Sequence, residues 1–336
     1  MNLIDLKPPY LIFVGEEGRT SYAKTALGVT QWRRELCAGQ LRLSTEAMDL
    51  GLPDYDIDAA VEAGAKSLII GTASVGGALM PEWRPVLIEA ARAGLNIIAG
   101  LHQRLSDDAE LSAVATASGA EFVDVRVPPE GLPIATGKRR SGKRVLTVGT
   151  DCALGKKYTA LQLEKDLKSA GANVDFRASG QTGIMIAGRG IPIDAVVSDF
   201  LAGAAEVLSP ANSEDHWDVI EGQGALLHPA YGAVSYGLLI GSQPDALVVC
   251  HAAGRETIAS WPEFPLPEIG DVIDRNIEAA KLTNPAPYCA GISVNTSALN
   301  EGEREEYLHD LEQKYQLPCV DPLIHGTSRI VERLLS

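Results

Sequence analysis

A chain of 336 residues is long enough for two ordinary domains, each burying a core of its own. Apolar residues make up 46% and charged residues 22%, the balance of a soluble globular protein, while 5% aromatics favour parallel sheets covered by helices over an all-β sandwich. A net charge of −15 excludes a general nucleic-acid binder, which needs a basic face to displace counterions. The five cysteines are scattered with no Cys-x-x-Cys, so the spacing argues against structural zinc and fits a reducing compartment. The opening MNLIDLKPPY holds no basic stretch followed by a long apolar one, and no apolar run approaches a membrane span. The expectation is a cytoplasmic protein with no membrane partner and no metal ligand set.

In chain order, residues 11–14 read as a strand, 24–36 and 56–64 as helices, and 67–71 as a strand. Residues 82–93 read as a helix, 96–100 as a strand, 107–118 as a helix and 121–125 as a strand. Strands alternating with helices across short connections imply βαβ units and a mainly parallel sheet. The pattern stops in VPPEGLPIATGKRRSGK, whose Pro, Gly and basic residues read as a solvated linker over 129–143. It restarts with a strand at 144–148, a helix at 156–170 and a strand at 173–177. Further strands are expected at 218–221, 245–251 and 288–295, and helices at 271–281 and 301–315. The reading is α/β with two domains, 1–128 and 144–336.

The stretch RVLTVGTDCALGKKYTALQLEKDL joins an apolar strand, a Gly-containing turn and an amphipathic helix. The unpaired N–H groups at such a helix start form an anion site, Gly149 and Gly155 let the backbone curl round a phosphate, and Lys156 adds a point charge. Two features depart from the standard P-loop. Gly149 to Gly155 is one residue too long, and Lys157 stands where Ser or Thr meets magnesium, with Thr159 as a substitute two residues on. The plainer alternative is an ordinary strand-to-helix turn with a surface lysine. Downstream, DVIEGQGALLHP ends an apolar strand in Glu221, with Gln223 and His228 following, in the crevice position of an α/β sheet.

Gly-Thr-Asp opening the loop, with Gly-Lys six residues after the first Gly, resembles dethiobiotin synthetase and its relatives, and the EGQG segment resembles the place where those enzymes put a magnesium- or substrate-contacting glutamate. A closer resemblance covers essentially the whole chain. GTDCALGKK, SGQTGIMIAGRGIPIDAVVSDFLAGAAE and EGQGALLHPAYGAVSYGLLIGSQPDALVVCHAAGR, with IIGTASVGGAL and NIIAGLH in the first half, resemble a two-domain family catalogued as a domain of unknown function. The resemblance implies a Rossmann-like N-terminal domain and a P-loop NTPase-like C-terminal domain. It also implies the activity of one member group, D-glutamate N-acetyltransferase, which moves acetyl from acetyl-CoA to the amino group and serves D-amino acid catabolism.

A P-loop can hold the phosphates of coenzyme A as readily as those of ATP, and an acetyltransferase needs no metal beside Lys157. The expected phosphate-site residues are Thr150, Asp151, Cys152, Gly155, Lys156 and Lys157, with Thr159 assisting. Glu221, Asp199 and His228 are the candidates for the base that takes a proton from the substrate amine. Ser179, Gln181, Thr182 and Gln223 are candidate substrate contacts, and Arg177 is a cation nearby. Cys152 at a helix start beside lysines suggests an acetyl-cysteine intermediate, against the plainer reading of a small loop residue. Gly71, Thr72, Ala73, Ser74, Gly76 and Gly77 after a strand form a second possible anion turn, and Lys138, Arg139 and Arg140 could attract the CoA 3′-phosphate. The alternatives are an ATP- and magnesium-dependent ligase or kinase, with Glu221 holding the metal, and a nucleotide-binding regulator without turnover. A dimer is expected for a two-domain metabolic enzyme.

Overall fold

The computed structural model describes residues 4–20, 22–73 and 77–336. Ser74 and Gly76 of the possible second anion turn lie outside these.

The first strands and helices are β1 (Ile4–Asp5), β2 (Tyr10–Gly15), α1 (Lys24–Trp32), β3 (Cys37–Arg42), α2 (Ile57–Glu62), β4 (Ser67–Ile70), α3 (Arg84–Arg92), β5 (Asn96–Ala99), α4 (Ala109–Ser118) and β6 (Phe122–Asp124). There follow β7 (Lys143–Gly149), α5 (Lys156–Ser169), β8 (Val174–Arg177), α6 (Gln181–Ala187), β9 (Arg189–Gly190), α7 (Ser198–Leu208), β10 (Trp217–Ile220), α8 (Gly232–Ser242) and β11 (Ala246–Ala252). The chain then runs through β12 (Thr257–Ile258), β13 (Trp261–Pro265), α9 (Ile269–Ala280), β14 (Tyr288–Asn295), α10 (Glu301–Tyr315), β15 (Cys319–Val320) and α11 (Ser328–Leu335).

Contacts divide the chain into two units, and not at one boundary as expected. The first unit holds the described residues up to Glu130 together with Gln181–Ala195, and the second holds Gly131–Gly180 and Val196–Ser336. The excursion has a local cause. Helix α6 is an apolar turn, GIMI, whose residues Gly183 to Ile186 are all buried, and Gly28 of α1 lets Ile186 and Thr182 approach closely. Strand β9 then pairs antiparallel with β1.

In the first unit five parallel strands take the order β3-β2-β4-β5-β6. Strand β2, YLIFVG, is buried at every position, as a central parallel strand covered on both faces must be. Its core joins Leu11, Phe13, Leu68, Ile70 and Ile97 to Leu87 and Leu111 of the covering helices. Asp56 caps α2, and Asp108 caps α4, which ends on the left-handed Gly119. Strand β3 was not expected. Its CAGQLR has no apolar run, because the buried Gln40 satisfies its amide locally, donating to Asp49 and Leu52 and accepting from the Leu50 N–H.

In the second unit six parallel strands take the order β15-β14-β11-β7-β10-β8. The chain leaves β7 for one side of the sheet and later returns to β11 on the other, so the crevice at the end of β7 is the switch point where ligands bind in such folds. Asn300 and Glu303 form a reciprocal capping box on α10.

The basic segment after Gly131 is largely exposed, yet it is tied down along the second unit. Thr136 and Gly137 donate backbone N–H groups to Glu206 on α7, and Arg140 donates to the carbonyls of Ser209 and Gly241. Arg144, fully buried at the start of β7, gathers the carbonyls of Ser141, Gly142 and Pro210 and the Ser209 hydroxyl. Burial pulls the Arg140 guanidinium down to about 10. Of the three basic residues expected to reach a 3′-phosphate, Arg140 is thus committed inside, and Arg139 pairs with Asp245 at 2.6 Å.

Gly203 sets how closely this strap meets α7, since a Cβ there would lie 1.8 Å from the Pro133 carbonyl oxygen. Gly203→Ala is expected to cost about 1–3 kcal/mol, because backbone rather than a flexible side chain must move. A urea titration checks this, and an unchanged midpoint contradicts the account.

Candidate functional site

The loop between β7 and α5 is built from backbone geometry first. Ala153 has φ 53° and Gly155 φ 104°, so two left-handed residues curl the chain just before α5 begins. The first turn of α5 carries no side-chain cap, which leaves its N–H groups to the loop.

Asp151 sits inside the curl, wholly buried. Its Oδ1 accepts from the Cys152 N–H at 2.6 Å, and its Oδ2 accepts from the Ala259 N–H at 2.8 Å and from Arg255 Nη1 at 2.9 Å. The same arginine donates to the Cys152 carbonyl at 2.9 Å. Lys156 is buried, and its Nζ donates to the Asp151 carbonyl at 2.7 Å. Among the described residues no carboxylate forms an ion pair with Lys156, and burial holds its ammonium below the usual lysine value. A buried cation bonded only to a carbonyl is what an incoming phosphate would stabilise.

The neighbouring side chains expected to line the phosphate site face elsewhere. Thr150 is fully buried, with Oγ1 3.1 Å from Nδ1 of His251, whose Nε2 lies 2.9 Å from the Tyr307 hydroxyl. Thr159 bonds Ser293 Oγ at 2.8 Å and the Gly155 carbonyl, so its hydroxyl is not offered to a metal at the loop. Lys157 is half-buried, with Nζ 4.5 Å from the Tyr158 ring centroid. Burial raises the Cys152 thiol above its ordinary value, which disfavours the thiolate that a covalent route needs.

A second cluster forms where β8 and β10 end. Glu221 is buried and its Oε2 accepts the N–H groups of Ser179 and Gly180, each at 3.0 Å. Ser179 Oγ donates to the Glu221 carbonyl at 2.6 Å, and Gln223 Nε2 donates to Ser179 Oγ at 3.0 Å. Gly222 brings this cluster against the loop: its N–H donates to Thr147 Oγ1 on β7, and a Cβ on it would lie 3.1 Å from Lys156 Cδ. Glu221, Ser179 and Gln223 are therefore assembled. Gln181 and Thr182 are not among them, because α6 belongs to the first unit. Asp199 is exposed in the first turn of α7, where a carboxylate favours the helix start, and among the described residues it bonds neither Glu221 nor His228. Arg177 is engaged with Asp218 at 2.7 Å and Asp175 at 3.1 Å, near the strand starts of this network with His216.

His228 turned out to belong with the loop. Its ring packs against Tyr231 and Trp261, with centroids 4.8 and 4.9 Å away, and Nδ1 accepts the backbone N–H groups of Ala230 and Tyr231. The ring proton therefore resides on Nε2, which faces Asp151 Oδ1 at 3.7 Å. This orientation makes His228 a donor at Nε2 and opposes its expected service as the base. Asp151, Cys152 and His228 bring ligand-type atoms within 4.8 Å of one another. Even so, a metal at Nε2 would require removing the proton that the two N–H donors force onto that nitrogen. Asp175, His216 and Asp218 form a similar trio, but Arg177 is bonded into it.

Arg255, Trp261 and Tyr231, which shape the loop, were not singled out from the sequence. Only the presence of Arg255 in a family-like segment hinted at it, since pairing across 104 residues leaves no local pattern.

His251 supplies a pH test. Burial, with Arg255 nearby, lowers it from 6.5 to about 4. In that window the unfolded chain binds a proton that the native state refuses, so stability is complete above the unfolded value and declines as pH falls toward the folded one. The melting temperature is expected to drop between about pH 7 and about pH 5, and His251→Asn to flatten the drop. An identical pH profile in the variant contradicts the assignment.

Comparison with known proteins agrees with this architecture. The family model described as the DUF1611_C P-loop domain, of unknown function, matches residues 133–331, and the DUF1611_N Rossmann-like domain matches 38–128. A Pseudoalteromonas sp protein named D-glutamate N-acetyltransferase is 46% identical over 331 residues, covering 98% of this chain and 100% of its own. A protein of the same name from Tritonibacter scottomollicae is 44% identical, covering 98% and 99%. The crystal structure of a DUF1611 family protein from Anabaena variabilis superposes with a TM-score of 0.83 at 31% identity, covering 98% of this chain and 99% of that one. The expected fold class, a Rossmann-like parallel sheet followed by a P-loop one, is thus borne out, and the chain belongs to the DUF1611 family.

Proposed function

We propose that the protein is a D-glutamate N-acetyltransferase, moving acetyl from acetyl-CoA to the amino group of D-glutamate. The observation that carries this is end-to-end identity of 46% and 44% with two relatives of that name, without a missing domain or a long gap in coverage. The loop supports the acetyl-CoA half. Its buried Lys156 and the uncapped start of α5 suit the pyrophosphate of coenzyme A.

The ligase or kinase alternative is not favoured. It needs a hydroxyl to fix magnesium, but Lys157 occupies that position and Thr159 is bonded to Ser293. Within the acetyltransferase reading, Glu221 is the base that takes the amine proton, aligned by the Ser179 and Gly180 N–H groups, and Gln223 is a polar contact for the substrate. His228 Nε2–H, aimed at Asp151, holds the loop and is a positioning group. Asp199 has a helix-start role, and Cys152 forms no acetyl intermediate. The protein acts in the cytoplasm, in D-amino acid metabolism, as a homodimer.

Release of free CoA thiol from acetyl-CoA with D-glutamate, without magnesium, is the expected outcome. No release with D-glutamate, L-glutamate or other acidic amino acids, beside magnesium-dependent ATP hydrolysis, overturns the reading. Glu221→Gln is expected to lower turnover by about 10²–10⁴-fold while the protein stays folded, and Cys152→Ala to keep wild-type turnover. Full activity in the first variant removes Glu221 as base, and its loss in the second restores the covalent route.

A further inference from the structure

The proposed reaction sets a gap that one molecule has to cross. With the pyrophosphate of acetyl-CoA at the β7–α5 loop, its thioester carbonyl must still come within about 3–3.5 Å of an amine freed at Glu221. The pantetheine arm therefore runs from the loop to the Glu221 cluster, over the surface of the second unit that joins them.

Two aromatic side chains make that join. Trp261 is tied to the loop: it opens β13 two residues after Ala259, whose N–H donates to Asp151 Oδ2 at 2.8 Å. Between them Ser260 turns the chain at φ 70°, a left-handed value that a non-glycine residue seldom takes, and Ile258 pairs with Trp261 across the hairpin. The tip of the hairpin is thus held on the buried carboxylate of the loop. Tyr231 is tied to the other cluster. It packs on Gly224, three residues after Glu221, where a Cβ would lie 3.2 Å from Tyr231 Cβ and 2.5 Å from its carbonyl oxygen. The two rings meet across His228, with centroids 6.1 Å apart and edge to face, each within 4.9 Å of the imidazole.

The buried imidazole fixes both rings without closing them off. Tyr231 is 47% exposed just before α8, Trp261 is half-buried, and Leu227, beside His228 in the chain, is exposed as well. A rigid aromatic pair left part open at a ligand site suits a chain of methylenes, methyls and amides. The pair is uncharged, as a neutral arm requires, and the buried cation Lys156 stays with the phosphates.

We infer that Tyr231 and Trp261 form the wall that seats the pantetheine arm of acetyl-CoA and carries its thioester toward Glu221. The assignment rests on the acetyltransferase reading. It makes the two aromatics binding residues for the arm, separate from the phosphate contacts of Lys156 and α5.

The test uses the full chain. It is titrated calorimetrically with CoA and with 3′-phospho-ADP, which carries the same adenosine and phosphates without the arm, and CoA release is followed with D-glutamate. Tyr231→Ala and Trp261→Leu are each expected to weaken the CoA Kd and raise the acetyl-CoA KM by about tenfold or more. The 3′-phospho-ADP Kd and the D-glutamate KM should stay within about twofold of wild type, which also shows that the loop is intact in the variant. Should Trp261→Leu fail to fold, Tyr231→Ala, on a part-exposed ring, decides alone. Equal losses for CoA and 3′-phospho-ADP place the rings on the adenine or on the loop itself, and an unchanged CoA Kd removes them from the site. Either result overturns the assignment while D-glutamate-dependent CoA release by the wild type upholds the enzyme. Absence of that release in the wild type overturns the acetyltransferase reading, and the pantetheine wall with it.

Discussion

Everything around the β7–α5 loop depends on one buried carboxylate. Asp151 would be strongly unfavourable inside the protein if it were alone. Two backbone N–H groups and Arg255 satisfy it, and in doing so they tie the loop to Ala259 between β12 and β13. Arg255 already balances Asp151, and among the described residues Lys156 forms no ion pair with a carboxylate, which under the proposed function leaves its charge to a ligand. Under the proposed function, this charge balance suits the loop to a phosphate as much as its glycines do. A motif scan sees the glycines and the lysine but not the balance.

The Glu221 cluster follows a different rule. Strand β10 delivers the carboxylate into the switch-point crevice, and the turn after β8 meets it with two N–H groups. Parallel pairing of β8 with β10 sets this register, so sheet topology and not local sequence aligns the two segments. Gly222 then lets the cluster close against the lysine of the loop. Two segments far apart in sequence meet there because β7 and β10 are neighbours.

What was legible in the sequence was local. Apolar runs marked β2, β7, β11 and β14, and the strand-turn-helix context marked the loop and its lysine. Helices α7 and α8 were missed because their glycines, which weaken a helical reading, serve here to bring the two together: a Cβ on Gly237 would lie 2.3 Å from Leu201. Thr150 and Thr159 were read by position in the motif, and their direction was set by His251 and Ser293 on strands that the motif does not contain. Gln181 stands two residues after Ser179, yet the chain changes units between them.

That change of unit has a bearing on how the protein is made. Strand β1 has its pairing partner in β9, which emerges only after the strands β7 and β8 of the second sheet. The first unit cannot complete itself on the ribosome as N-terminal domains usually do. Until residues 181–195 have been made, the surface of α1 awaiting Ile186 stays open, so the first unit closes only after β7, α5 and β8 of the second have emerged.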